Sequence, residues 1–200
     1  MPRFKRRQSP QAYSDYSNYK PYLRLDFRWR CCYCGVRERK WGGQSHFAVE
    51  HFQPKKLFPL LETTYSNLYY ACDKCNGCKW RWWPNPADIA AGRRFFDPCS
   101  DLSKKHFRLD LTGMLQNLSD CGWYTIKTVR LNRKVLVDMR REHLQLIREY
   151  RKALRAVRDL SNKYLNCANL DEQQLLIRAI LAIESNLVRA KLEFAFAPHG

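Results

Sequence analysis

The chain has 200 residues, and 45% of them are hydrophobic, so it can bury the core of a domain and is not a disordered chain. Lysine and arginine number 36 against 19 acidic residues, which gives a formal net charge of +17. This charge favours a polyanionic partner such as nucleic acid, because neutralised phosphates release condensed counterions on binding. No apolar run approaches the roughly 18–20 residues of a spanning helix, and the basic N-terminus lacks the apolar stretch of a signal peptide. We therefore expect a cytoplasmic protein without a membrane anchor.

The first half of the chain divides into an arm and a core. Residues 1–26 are basic and rich in tyrosine, and they predict an arm with one short helix before Cys31. Residues 27–100 contain paired cysteines and apolar runs, which predict the core of the protein. Prolines are frequent after Trp83, and they favour a break near residue 84.

Residues 101–130 form an extension of this core in which apolar and polar side chains alternate, as they do in half-buried strands. We predict a β-hairpin that turns at Thr112-Gly113. Residues 122–129 are predicted to form a third strand.

Residues 131–200 change to the helical period. Asn132 has the position of an N-cap before a long amphipathic helix, and Asp171 followed by Gln174 resembles a capping box before a second helix. The two helices should form a C-terminal hairpin. The basic face over residues 140–158 fits either an ordinary solvated surface or a path for phosphates.

Two C-x-x-C pairs carry the strongest local signal in the sequence. Cys31 and Cys34 form the first pair, and Cys72 and Cys75 form the second. Each pair can direct two thiolates at one tetrahedral ion, and zinc is the expected occupant of a four-sulfur site. Cysteines that serve only as small core residues are the plainer alternative. A redox role is disfavoured because no βαβ pattern surrounds the pairs.

The other cysteines and histidines do not show this spacing. Cys32 and Cys78 adjoin the pairs and are alternative ligands. The isolated cysteines should be buried and inert: Cys99, Cys121 and Cys167. The histidines without ligand spacing are His106, His143 and His199.

A glutamate and a histidine stand side by side between the two cysteine pairs. The segment FAVEHF, residues 47–52, predicts a strand that reaches Glu50-His51, and a loop rich in lysine and proline follows it. Residues 65–81 predict a second strand that runs into a short helix. An adjacent carboxylate and imidazole suit a metal ion, a proton transfer or a phosphate, whereas a solvated strand end is the plainer alternative.

This segment resembles the HNH nuclease motif on a ββα-metal core. The similarity covers about residues 27–83 and lies in the following residues: Glu50-His51, Asn67-Leu68, Cys75-Asn76 and Lys79. The resemblance implies an α+β fold, in which a ββα-metal core is stapled by a four-cysteine zinc site. A small β-hairpin region and a C-terminal helical hairpin follow that core. The sequence departs from the motif's name, because its first residue is glutamate and its last is asparagine.

The resemblance also implies roles for the motif residues. Glu50 and Asn76 would bind a catalytic divalent ion. His51 would be the general base, and Asn67 would brace the loop. Because the ligands are oxygens, Mg²⁺ or Mn²⁺ suits the catalytic site better than zinc. Four nearby cations are candidate contacts to nucleic acid: Lys55, Lys56, Lys79 and Arg81.

Residues 95–98 and 128–140 are similar to segments of HNH effectors from bacterial anti-phage defence systems of the Septu and retron-associated type. That similarity implies an ATPase partner protein. We therefore expect a metal-dependent endonuclease that hydrolyses DNA in anti-phage defence. Two alternatives stay open. One is an RNA nuclease, of the type that acts on tRNA, using the same site, and the other is a zinc-knuckle protein that binds nucleic acid without catalysis.

Overall fold

The structure is a computed structural model that describes residues 3–8 and 10–195, with side chains as far as residue 186. His199 and the last part of the predicted helical region lie outside the described residues. The chain divides into two compact units, Met1–Asp138 and Met139–Gly200. The regions predicted as arm, core and hairpin extension all lie in the first unit.

The protein mixes helices with short strands. The helices are α1 Lys20–Asp26, α2 Asp73–Lys79, α3 Pro86–Ala90, α4 Ser103–His106, α5 Asp120–Val129, α6 Lys134–Leu165 and α7 Leu170–Ala195. The strands are β1 Phe47–His51, β2 Leu68–Cys72, β3 Phe107–Leu109 and β4 Leu115–Asn117. Single 3-10 turns connect several of them, including Tyr16–Tyr19 and Tyr65–Asn67.

Strands β1 and β2 pair antiparallel and lead directly into α2, as the sequence predicted. Phe47 lies opposite Cys72, and His51 lies opposite Leu68. All five residues of β2 are buried, so this strand passes through the core. The register places Glu50 beside Tyr69 at the end of the sheet where the loop begins. A strand pair followed at once by a helix therefore brings the Glu50-His51 pair close to α2.

The N-terminal segment packs on the core instead of extending as a free arm. The Phe4 side chain is only 2% exposed, and its backbone N–H donates to the carbonyl of Pro98. The Arg6 guanidinium lies 4.2 Å from the ring centre of Tyr69 and donates to the Leu68 carbonyl at 2.6 Å. These contacts attach the segment to Pro98 and to β2, and the predicted short helix is α1.

The predicted hairpin is confirmed, with β3 paired antiparallel to β4. Gly113 has a φ of +88° at the turn, a conformation that glycine adopts without the steric cost of a Cβ atom.

The predicted third strand over residues 122–129 is wrong, because this segment belongs to helix α5. The Ser119 side chain caps the helix by accepting a hydrogen bond from the Gly122 N–H. A Cβ atom at Gly122 would lie 2.1 Å from the carbonyl oxygen of His106, so the packing of α5 against the end of α4 requires glycine here. Cys121, Thr125 and Val129 are buried, whereas Trp123 and Lys127 between them are exposed, which fits the helical period and not the strand period of two.

The C-terminal residues form two long helices, as predicted, but the helix starts differ. Helix α6 begins at Lys134, and the side-chain amide of Asn132 bonds to both backbone groups of Leu115 in β4. Helix α7 is capped by Asn169, which accepts hydrogen bonds from the next helical N–H groups, and not by Asp171. Over residues 139–186 no side chain is buried. Within the described residues, no helix has the length and apolar content needed to cross a membrane.

Candidate functional site

The two C-x-x-C pairs come together as one group of four sulfurs. The ligand atoms of Cys31, Cys34, Cys72 and Cys75 all lie within 4.8 Å of one another. The sulfurs of Cys34 and Cys72 are 3.9 Å apart. A tetrahedral zinc ion with Zn–S bonds of about 2.3 Å needs sulfurs about 3.8 Å apart, so the group fits this ion. The predicted cysteine cluster is therefore confirmed as a group that can hold a metal such as zinc.

Local structure explains how the four sulfurs converge. Cys31 and Cys34 lie on a tight turn whose ends pair through the Arg30–Arg37 bridge, and Gly35 takes a φ of +71° in that turn. Cys72 is the last residue of β2, and Cys75 lies in the first turn of α2. The neighbouring Cys32 and Cys78 are not part of the group.

An arginine from outside the motif reaches the cysteine group. Arg133, in the turn between α5 and α6, donates a hydrogen bond from Nη2 to the Cys75 sulfur at 3.3 Å. The same guanidinium lies 5.7 Å from the ring centre of Trp41. Its positive charge offsets part of the negative charge that four thiolates bring to the site.

A second group of donors lies between α4 and α5. Asp101, His106 and Cys121 bring their ligand atoms within 4.8 Å of one another. Arg94 already binds both oxygens of the Asp101 carboxylate, at 2.6 and 2.9 Å. Burial raises the pKa of the Cys121 thiol to about 11, so this sulfur is protonated at neutral pH. The second group is therefore an ion pair beside a buried thiol. Cys121 is buried as the sequence predicted, whereas Cys99 and Cys167 are only partly buried.

One pocket collects most of the predicted site residues other than the zinc-binding cysteines. Its volume is about 430 Å³, and it lies between β1, the loop after β1 and α2. Six predicted residues line it: Glu50, His51, Lys55, Lys56, Asn76 and Arg81. Two further lining residues are Asp73 and Trp80, which the sequence analysis did not single out.

His51 is held in one orientation. Its Nε2 lies 2.9 Å from the Glu62 carbonyl oxygen. A carbonyl only accepts, so Nε2 carries the proton and Nδ1 of the neutral ring is left as the acceptor. The edge of the Tyr16 ring packs on the imidazole, with the ring centres 4.7 Å apart. Burial lowers the pKa of His51, which keeps the ring neutral near pH 7.

Glu50 is buried beside a lysine. Only 3% of Glu50 is exposed, and its Oε1 lies 2.7 Å from the Lys79 ammonium. The Tyr33 hydroxyl donates to the same oxygen at 3.1 Å. Burial raises the pKa of the Glu50 carboxyl, and Lys79 opposes that shift. Both partners approach the same carboxylate oxygen, Oε1.

The predicted lysines occupy different surroundings. Lys79 is fully buried, where its ammonium bonds to Glu50 and to the His51 carbonyl, so it faces away from any nucleic acid at the surface. Lys55 binds the Glu62 carboxylate at 2.7 Å and lies over the Tyr16 ring at 4.4 Å. Lys79 differs from the sequence expectation because α2 packs its last turn directly against the end of β1.

Asn67 connects the two ends of the loop between the strands. Its Oδ1 accepts from the Gln53 N–H at 2.8 Å, and its Nδ2 donates to the carbonyls of Gln53 and Leu61 at 3.0 and 3.2 Å. The side chain is 6% exposed. These bonds span the loop that carries Lys55 and Lys56, and they fix the loop relative to His51.

Several contacts of the site could not be found from the sequence. Tyr16 comes from a distant segment, and Glu62 acts through its backbone carbonyl. Asp73 follows Cys72 directly, and its carboxylate accepts from Trp41 at 2.8 Å and lies 3.3 Å from His46. The sequence signal for Asp73 is its position as an acidic residue between Cys72 and Cys75.

Comparison with known proteins finds a distant relative. No protein-family model matches the chain. The chain is similar to Septu protein PtuA from Bacillus mycoides, with 25% identity over 140 residues. The match covers 60% of this chain and 20% of the relative, so the chain spans about one fifth of that protein's length. The predicted similarity to Septu proteins is thus supported at the level of a distant relationship.

Proposed function

We propose that this protein is a metal-dependent endonuclease of the HNH type that hydrolyses phosphodiester bonds of DNA. The observation that carries the proposal is the pocket in which Glu50, His51 and Asn76 meet at the junction of β1 and α2. An imidazole, a carboxylate and an amide oxygen supply a base and the ligands for one divalent ion. The four-cysteine group beside them fixes the start of α2.

His51 is the general base of this proposal. Its Nε2 proton is bonded to the Glu62 carbonyl, so Nδ1 receives the proton from the attacking water. The carbonyl and the Tyr16 ring limit rotation of the imidazole, which keeps Nδ1 directed without any change on substrate binding. A base with a lowered pKa stays unprotonated across the neutral range.

Glu50 and Asn76 would hold Mg²⁺ or Mn²⁺ in the pocket. Oxygen donors on a partly open site suit these ions, which keep several waters in their coordination shell. When bound, such an ion neutralises the charge that develops on the phosphate and the leaving oxygen. Lys79 holds Glu50 through Oε1 and thereby orients the other oxygen.

The proposed partners are nucleic acid, because of the positive charge at the pocket, and a second protein, because of the resemblance to Septu proteins. Lys56 and Arg81 are exposed at the pocket and would bind the phosphates that flank the cut. Similarity to a Septu protein supports a role in anti-phage defence. We propose that the nuclease works there beside an ATPase partner, as the sequence resemblance implies.

The test is cleavage of supercoiled plasmid by wild type and by His51→Ala, each with EDTA, Mg²⁺ or Mn²⁺. We expect nicking or linearisation that requires the metal and falls at least about 100-fold in the variant, the lower range for loss of a general base. His143→Ala, an exposed histidine of the second unit, is the matched control and should cleave as wild type does.

Other outcomes separate the alternatives. Cleavage of structured RNA but not of plasmid would favour the RNA nuclease. Metal-independent binding that His51→Ala leaves unchanged, with no cleavage of either substrate, would favour a zinc-knuckle binding protein and contradict the proposal.

A further inference from the structure

A tryptophan forms part of the pocket wall and is mostly exposed. Trp80 follows α2 directly, and 65% of its surface is accessible to solvent. It lines the same pocket as Glu50 and His51. A large apolar ring in this place does little to stabilise the core, because most of its surface is still in water.

The backbone of Trp80 is strained. Its φ is +47° and its ψ is −130°, a region that glycine enters freely and bulky residues rarely enter. Trp80 therefore occupies a position where glycine would be more favourable for folding. Such strain at the edge of a pocket is typical of a residue kept for binding.

The charges beside Trp80 favour an anionic ligand. Lys56 and Arg81 are exposed, line the pocket and make no ion pair with any residue that the structure describes. The other two lysines of the motif are already paired, Lys55 with Glu62 and Lys79 with Glu50. An exposed aromatic side chain that lines one pocket with two unpaired cations has the composition of a single-stranded nucleic-acid site, where bases stack and phosphates are neutralised.

We propose that Trp80 stacks on an unpaired base while Lys56 and Arg81 bind the neighbouring phosphates. The bases of a duplex cover one another's faces, so a tryptophan at the pocket can stack only on a base that is outside the duplex stack. The preferred substrate of the site therefore contains unpaired nucleotides at the cut, as in a single strand, a flap or a bubble. This inference rests on the proposed nuclease function and names its substrate class.

Binding without cleavage tests the inference. Anisotropy of a labelled single-stranded DNA oligonucleotide, and of the same sequence as a duplex, is measured without added Mg²⁺ or Mn²⁺ for wild type, Trp80→Ala and Trp82→Ala. A chelator is left out because it would remove zinc from the four-cysteine group. Trp82 is the matched control, since it is 62% exposed and lies two residues away, outside the described lining of the pocket. We expect Trp80→Ala to weaken single-strand binding about 5- to 150-fold, the range for loss of one stacked base. Duplex binding by Trp80→Ala should stay within about twofold of wild type. Single-strand binding by Trp82→Ala should also stay within about twofold of wild type.

Trp80→Gly guards against a folding artefact. Glycine relieves the positive φ, so this variant should unfold at a temperature no lower than wild type and still lose single-strand binding.

Single-strand binding that survives in both Trp80 variants overturns the inference but leaves the plasmid test, and with it the proposed nuclease, untouched. An equal loss in Trp82→Ala also overturns it, because the effect would then belong to the general surface. Wild-type protein that binds neither DNA overturns it and counts against a DNA nuclease as well.

Discussion

Two groups of donors in this protein meet the same distance criterion, yet they differ in chemistry. The four cysteines and the group of Asp101, His106 and Cys121 both bring their ligand atoms within 4.8 Å. Arg133 approaches the first group from outside and donates to one sulfur. Arg94 enters the second group and takes both oxygens of its carboxylate. Proximity of donors is therefore not sufficient, because the position of the nearest cation decides whether their lone pairs are available to a metal.

The Glu50–Lys79 pair lies between these two cases. Lys79 occupies one carboxylate oxygen of Glu50, whereas Arg94 occupies both of Asp101. One carboxylate oxygen is enough for a ligand of Mg²⁺, which takes most of its other oxygens from waters and substrate. On this comparison the four cysteines can hold a metal, the proposed ligand Glu50 is bound by a cation at one of its two oxygens, and both oxygens of Asp101 are bound.

The largest difference between the two groups should appear when one cysteine of each is replaced. Cys72→Ser should abolish stoichiometric zinc and unfold the first unit, because structural zinc supplies on the order of 10 kcal/mol of folding free energy. The Cys121→Ser variant should keep one equivalent of zinc at the four cysteines, and its free energy of unfolding should fall by about 1 kcal/mol. Zinc content by mass spectrometry and unfolding by circular dichroism measure both. Equal loss of zinc in the two variants would contradict the distinction.

Lys79→Met tests the intermediate case. It leaves a carboxylate buried without its cation, and removal of one partner from a buried pair costs about 3–5 kcal/mol. Without Lys79, burial alone raises the pKa of Glu50 further above its unfolded value. The folded state then binds more protons than the unfolded state above about pH 4.3, so the variant should lose stability as the pH rises.

Urea unfolding at about pH 5 and about pH 8 measures this dependence. The matched control is the double variant Glu50→Gln/Lys79→Met, which removes the charge as well and should show little of the added pH slope. A pH slope that is equal in the single and double variants would show that Glu50 is not the group responsible.

The sequence predicts the four-cysteine group far better than it predicts the contacts of Lys79 and His51. Four cysteines at fixed local spacing converge through one turn and one helix start, and the strand–strand–helix order places them. Whether Lys79 is buried or exposed depends on how the last turn of α2 packs against β1. The contact of Tyr16 with His51 joins segments that are far apart in sequence. The sequence does not distinguish helix α5 from a strand, because its polar and apolar residues are also compatible with the strand period. Packing of Gly122 against the end of α4 favours the helix.

Arg133→Met tests whether the hydrogen bond from Arg133 to the Cys75 sulfur stabilises the bound zinc. The four sulfurs stay in place, so zinc should still bind at one equivalent. Loss of a hydrogen bond to a metal-binding sulfur costs about 10- to 100-fold in metal affinity, and the variant should release zinc to a chromogenic chelator correspondingly faster. Arg130→Met, a change of a neighbouring exposed arginine in the same turn, is the control and should release zinc at the wild-type rate. Unchanged release in Arg133→Met would mean that its hydrogen bond does not stabilise the bound ion.

Arg94→Leu gives the smallest effect on stability and the most direct test of the comparison. The pair is part-exposed, with Arg94 at 40% side-chain exposure, so its loss should cost no more than about 1 kcal/mol. If the cation alone blocks the second group, the variant should bind a second equivalent of zinc through Asp101, His106 and Cys121. Arg93→Leu breaks the adjacent pair with Asp88 and should stay at one equivalent. One equivalent in both variants would show that the raised pKa of Cys121, and not Arg94, closes this group to metal, because a sulfur that keeps its proton cannot become a ligand.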